Sequence, residues 1–191
     1  MTHLNPRPNE PRIPVHTVED APPPSRDHLA SLTRRMGTTL NIHGEMAHPP
    51  LTIAGYAGLQ AAIKDHGTFD VASREAIALA VGATDECAYC QSAHTLSGRA
   101  AGLTDDQMLA IRRAEPSDDT RRDALLAVAR ETAGRVGDVT DNTWQRALDA
   151  GWTTTEPAEL YAHVAVNLYT NYFNHLARTR LDVPAAPGVV A

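Results

Sequence analysis

From residue 25 onward the chain is punctuated for helices and for nothing else. Ser25 precedes Leu29, Leu32 and Met36 at helical spacing, and a second apolar patch follows at Leu40, Ile42 and Met46. Pro49-Pro50 interrupt that run and begin a helix carrying Leu51, Ala54, Ala57, Ala61 and Ile63. Ser73 stands where it can open a helix through Ile77, Ala80 and Val81. Thr104-Asp105-Asp106-Gln107 reads as a capping box before Met108 and Ile111. Pro116-Ser117 precede Leu125, Leu126 and Val128, and Thr140 caps a helix with Trp144 and Leu148 that stops at Gly151. A last long helix is expected from about Thr155 to about Arg180. Sustained period-2 alternation and Asn-Gly or Asp-Gly hairpin turns are missing, and no internal repeat stands out. The fold class predicted is all-α.

Residues 1–24 hold seven of the thirteen prolines and no helical periodicity. That segment is expected to be an extended arm, either disordered or laid over a neighbouring surface. Residues 25–182 form the expected helical domain and residues 183–191 a C-terminal tail. With 191 residues, the chain suits one domain by the soft prior of about 150 residues each. A hydrophobic content of 42% with 21% charged residues excludes collagen, a coiled-coil rod and wholesale disorder. Seventeen basic against twenty-three acidic residues give a net charge of −6, which argues against a nucleic-acid partner. No apolar run approaches the roughly 18 residues of a membrane helix, and Met1–Pro8 contain no apolar segment of a secretory signal. A cytoplasmic protein without a membrane partner is expected.

The chemically informative segment is Cys87-Ala88-Tyr89-Cys90-Gln91-Ser92-Ala93-His94. At about 100° per residue, Cys90 lies about 300° from Cys87 and His94 about 700°, roughly 20° short of two full turns. On a helix all three side chains would share one face. The thiols are then close enough to close a disulfide, and His94 is within reach as a proton acceptor or relay. The motif sits near a helix start, where the macrodipole favours a thiolate. Packing cysteines, a zinc site and thiol redox chemistry all remain open on spacing alone. Zinc needs a fourth ligand or a water, and no second cysteine pair is present. A thioredoxin-like protein would need a βαβ context that this chain lacks.

Glu75, twelve residues before Cys87, together with Cys87-Ala-Tyr89-Cys90-Gln-Ser-Ala-His94 and Gly102-Leu103-Thr104, resembles the alkylhydroperoxidase D-like branch of the carboxymuconolactone decarboxylase superfamily. The resemblance spans roughly residues 40–180. It implies an alkylhydroperoxidase D-like helical bundle associating as a homo-trimer or hexamer, with the site near a subunit boundary. It further implies a thiol-dependent hydroperoxidase or disulfide reductase, an antioxidant peroxidase-type oxidoreductase. In that reading Cys90 is the peroxide-attacking thiol, Cys87 the resolving thiol, and Glu75 and His94 the proton relay. Tyr89 stands where the best-known alkylhydroperoxidase has a second histidine. The decarboxylase branch lacks the cysteine pair.

No metal, flavin or nicotinamide motif is present, so no cofactor is expected and the electrons must come from an external dithiol, lipoyl- or thioredoxin-like. Two alternatives are a non-catalytic redox sensor using the same cysteine pair and a carboxymuconolactone decarboxylase-like lyase with His94 or Glu75 as base. His48, His163 and His175 are read as structural or interface residues. Tyr161, Leu168, Tyr172, Phe173 and Leu176 on the last helix are read as core or subunit contacts.

Overall fold

The computed structural model describes residues 10–189. After a single 3-10 turn at Pro23–Ser25, nine α-helices follow among the described residues. They are α1 (Arg26–Met36), α2 (Asn41–Met46), α3 (Pro50–His66), α4 (Val71–Thr84), α5 (Ala88–Ala100), α6 (Asp105–Arg113), α7 (Thr120–Gly134), α8 (Asp141–Asp149) and α9 (Thr155–Ala177). No strand occurs among the described residues, so the fold is all-α as the periodicity requires.

Several helix boundaries follow the predicted caps. Thr104 and Gln107 form a reciprocal capping box, and the Thr140 hydroxyl accepts the Thr143 N–H at 3.2 Å. Others are displaced by a better acceptor nearby. The α4 cap is Asp70, whose carboxylate takes the Ser73 N–H at 2.7 Å, so Ser73 lies inside the first turn. An ionised carboxylate suits the positive helix end better than a hydroxyl. For the same reason α7 starts behind Asp119 rather than at Pro116-Ser117. Ser25 precedes α1 without a side-chain capping bond. At the other end of the chain, α9 stops at Ala177, because Arg178 turns into the left-handed region.

Helix α4 is the centre of the bundle. Ala76 to Gly82 are all buried, and α4 packs against α5, α6, α7 and α9. A helix apolar all round has to lie inside, and its small residues let neighbours approach closely. Two apolar clusters flank it. The first gathers Ile77, Leu79, Leu125, Leu126, Met108 and Leu160, and the second gathers Leu29, Met46, Ile53, Cys87, Tyr89 and Cys90. Helix α9 spans both, with Val164 in the first and Val166, Phe173 and Ala177 in the second.

From residue 10 the Pro-rich segment lies on its own chain. The Arg12 N–H donates to the Ala177 carbonyl at 2.8 Å and the His16 N–H to the Gly44 carbonyl at 3.2 Å, while Ile13 and Val18 pack on the second cluster. The predicted arm at residues 1–9 falls outside the described residues. In the tail, buried Ala186 donates its N–H to Ser92 Oγ at 3.1 Å.

One carboxylate sits in this core without a cation. Glu45 is fully buried, and Thr179 donates its hydroxyl to one oxygen. Burial pushes the Glu45 carboxyl up to about 7 against the lowering effect of Thr179. A folded-state value above the unfolded one gives stability that is complete below the unfolded value and lost as pH rises through about 7. Buried His43 is shifted down to about 4, which opposes this slope in the wild-type chain, so the comparison must be between variants. Glu45→Gln is expected to gain stability relative to wild type between pH 5 and pH 8, read from urea midpoints. A difference independent of pH would contradict the assignment.

Candidate active site

The two thiols are placed by the way α4 stops. The Cys87 N–H donates to the Gly82 carbonyl at 2.9 Å and the Glu86 N–H to the Ala83 carbonyl at 3.2 Å, while Glu86 takes a φ of 53°. This is a Schellman closure with a non-glycine residue in the left-handed position. Cys87 leaves it with an extended backbone and immediately caps α5, its Sγ accepting the Cys90 N–H at 3.3 Å. Cys87 is therefore the residue before the first turn, not part of the helix face predicted from spacing. Its sulfur lies at the positive end of α5. Gly82 packs directly beneath the second thiol, where a Cβ at residue 82 would make an ordinary contact with the Cys90 Cβ at 3.4 Å.

A polar face of α9 holds this turn from the other side. Asn171 Nδ2 donates to an Asp85 carboxylate oxygen at 2.7 Å, and His175 Nε2 lies 2.8 Å from the Asp85 carbonyl. Between them, Asn174 Nδ2 donates to Cys90 Sγ at 3.1 Å and lies 3.8 Å from Cys87 Sγ. Asn171 and Asn174 are buried on the inner side of α9, and His175 stands exposed one residue further on. Nothing in the local sequence ties them to the thiols. His175, read as a structural or interface residue, ties α9 to the backbone of the turn that carries Cys87.

The thiols are both free and nearly inaccessible, Cys87 at 1% and Cys90 at 3% exposure, yet they differ sharply. A hydrogen bond from the Cys90 thiol lowers Cys87 to about 7, with help from the Cys90 N–H and against the cost of burial. Burial pushes Cys90 well above the ordinary thiol value, and its bond to Cys87 adds to this. Cys90, not Cys87, lines a cavity of about 410 Å³ also bordered by Glu75, His94, Tyr56, Arg35 and Arg74. The more acidic thiol is thus behind, and the less acidic one is in front.

Glu75 from α4 and His94 from α5 meet across the same cavity, with Nδ1 of His94 2.8 Å from Glu75 Oε2. A carboxylate accepting from Nδ1–H fixes the tautomer and leaves Nε2 as the acceptor. The four residues singled out in the sequence are therefore brought together, three on the cavity wall and Cys87 behind it. Tyr89 does not replace a histidine at the sulfurs. Its hydroxyl donates to Asp182 Oδ1 at 2.7 Å, and Asp182 also takes the Asn41 N–H. His48 stacks on His16 with ring nitrogens 3.0 Å apart, a loop contact as expected. His163 lies against Phe69 and near Glu159, and also borders the cavity. Among the described residues no group of three or more His, Cys, Asp or Glu could hold a metal ion. No helix there is long and apolar enough to cross a membrane.

Residues 50–131 match the carboxymuconolactone decarboxylase family, a span containing α4, α5 and all four singled-out residues. Beyond that span, likeness to solved structures is one of fold. Among solved structures, an alkylhydroperoxidase D core, peroxidase-related protein from Ralstonia eutropha JMP134 superposes with a TM-score of 0.80 at 20% identity. That match covers 92% of this chain and 94% of the other. A single-residue variant of the debrominase Bmp8, in complex with 2,3,4-tribromopyrrole, gives 0.77 at 17% identity, covering 93% and 94%. A peroxidase-related protein from Silicibacter sp. TM1040 gives 0.70 at 16% identity, covering 93% and 94%. No curated protein sequence matches the chain.

The split between the thiols can be titrated. Thiolate absorbance of the reduced protein is expected to rise in a first step at about 7 and a second well above the ordinary thiol range. Cys90→Ala removes the largest stabilising donor to Cys87, so the first midpoint should move up toward the ordinary value of about 8.5. An unmoved midpoint would mean that the helix end alone sets it.

Proposed function

We propose that the protein is a thiol-dependent hydroperoxidase in which Cys90 attacks and Cys87 resolves. The observation that carries this reading is that Cys90 shares the cavity wall with a tautomer-fixed His94, while the acidic thiol Cys87 waits behind it.

Cys90 is too basic to ionise unaided near neutral pH, so attack needs a base. His94 Nε2 takes the thiol proton while Glu75 holds Nδ1–H. The Cys90 sulfur then bonds to the terminal hydroperoxide oxygen, the O–O bond breaks, and the departing alkoxide takes the proton back from His94. The products are an alcohol and a Cys90 sulfenic acid, the sulfur oxidised by two electrons and the peroxide reduced by two. Asn174 Nδ2, already on Cys90 Sγ, stabilises the thiolate as it forms. The Cys87 thiolate next attacks the sulfenic sulfur, an S–S bond forms, and hydroxide leaves and is protonated to water. An external dithiol reopens the disulfide by two exchanges and is itself oxidised to a disulfide. The sum is hydroperoxide plus dithiol giving alcohol, water and disulfide.

The first turn of α5 suits this cycle, because Asn174 Nδ2 lies within reach of both sulfurs and so makes them neighbours. Exposed Leu51 on α3 and Tyr172 and Leu176 on α9 support self-association of the kind the superfamily resemblance implies. The debrominase of the same fold makes a brominated pyrrole the natural comparison substrate.

Peroxide consumption is to be measured with dihydrolipoamide, with thioredoxin and with no reductant. A dithiol-dependent rate is expected, and inertness toward hydroperoxide with rapid debromination would overturn the reading. Both His94→Gln and Glu75→Gln should lower the rate at pH 7 by about 10²-fold, the low end for losing general acid–base help. Since Cys90 ionises only at high pH, the rate of either variant should still be climbing at pH 9. Wild-type rates at pH 7 in both variants would remove the relay.

A further inference from the structure

The cavity wall carries a charge pattern that the peroxidase chemistry does not use. Arg35, at the end of α1, and Arg74, one residue before the relay glutamate on α4, both border it. The acidic residue on the wall, Glu75, is held by His94. Arg35 lies near the Tyr56 hydroxyl, which accepts from Gln60 Nε2 at 3.2 Å, and neither arginine forms an ion pair with a carboxylate among the described residues. Asp70, one turn before Arg74, is engaged as the α4 cap on Ser73. In a chain of net charge −6, a cavity with two such guanidiniums is a local reversal of sign.

Next to them is a hydrogen-bonding group without a partner. His43 is 4% exposed, borders the cavity and stacks on Tyr56 with ring centroids 5.8 Å apart. Its Nδ1 has no partner, and Arg35 together with burial keeps the ring neutral near pH 7. A neutral imidazole beside a guanidinium and a tyrosine ring is a place for a planar or aromatic body with a polar end. A cavity of about 410 Å³ is in the range of small-molecule sites and exceeds what hydrogen peroxide needs.

We propose that the cavity takes a compact organic hydroperoxide bearing a carboxylate, with Arg35 and Arg74 holding the anion, His43 and Tyr56 lining its body, and the hydroperoxide end at Cys90. This specificity rests on the peroxidase reading for its reacting group but not for its anion site. The guanidiniums act as a paired anchor, because a bidentate guanidinium–carboxylate contact fixes orientation as well as charge. Holding the far end in this way brings the O–O bond to Cys90 in one pose.

The test compares cumene hydroperoxide bearing a para-carboxylate with its methyl ester, each mixed with fully reduced protein in single turnover without added reductant. The acid is expected to react at least about tenfold faster than the ester at low salt, with the advantage shrinking as salt rises. In Arg35→Gln/Arg74→Gln the ratio of acid to ester should fall toward one, and Arg74→Lys should retain part of it. Equal rates for acid and ester in wild type, or a ratio that survives the double substitution, would overturn the proposal. The corresponding unreactive tertiary alcohols, acid and ester, are titrated into the same proteins by calorimetry. If neither hydroperoxide is consumed, the peroxidase reading fails. Preferential binding of the acid alcohol, lost in the double variant, would still uphold the anion site, and equal or absent binding of the two alcohols would overturn it.

Discussion

Everything distinctive about the site depends on the closure that ends α4 on the residue that begins α5. Because Cys87 supplies the N–H that seals α4 and the sulfur that caps α5, its position is set by backbone hydrogen bonds on both sides. Glu86 bears the cost of the left-handed conformation that makes this possible, a cost of order 1 kcal/mol or more for a residue with a Cβ. The gain is a sulfur fixed at the positive end of a helix, with a second sulfur one turn away. Helix α9 then locks the turn through Asn171, Asn174 and His175.

That arrangement divides two properties between two thiols that look equivalent in sequence. Cys87 receives hydrogen bonds from Cys90, and they favour its ionised form. Cys90 is buried and donates to its neighbour, so it is left basic, yet it is the one on the cavity wall. A basic thiol is the stronger nucleophile once ionised, and an acidic one is ready to attack as soon as a sulfenic sulfur appears beside it. The Glu75–His94 pair across the cavity gives the basic thiol its route to ionisation.

Much of this was legible in the sequence. The helices followed from caps and apolar spacing, and Glu75, Cys87, Cys90 and His94 stood out because their spacing matches a known pattern. Displaced boundaries at Asp70 and Asp119 came from competition between two adequate caps, where an ionised carboxylate displaced a nearby serine. The roles of Asn174, His175 and Asp182 were not legible. Each reaches the site from 84 to 93 residues away through tertiary packing, and no local pattern ties such a residue to a distant thiol. His43, Arg35 and Arg74 were hidden for a similar reason, since a shared cavity wall joins α1, α2 and α4 only after the bundle has formed.

Trapping of sulfenic acid tests most directly which sulfur meets the peroxide. Reduced Cys87→Ser and Cys90→Ser proteins are each treated with one equivalent of hydroperoxide and a dimedone-type reagent, and the adduct is located by peptide mass spectrometry. Attack from the cavity wall predicts one adduct per chain on Cys90 in Cys87→Ser and none in Cys90→Ser. An adduct on Cys87 in Cys90→Ser, with none in Cys87→Ser, would reverse the roles and contradict the geometry from which they were assigned.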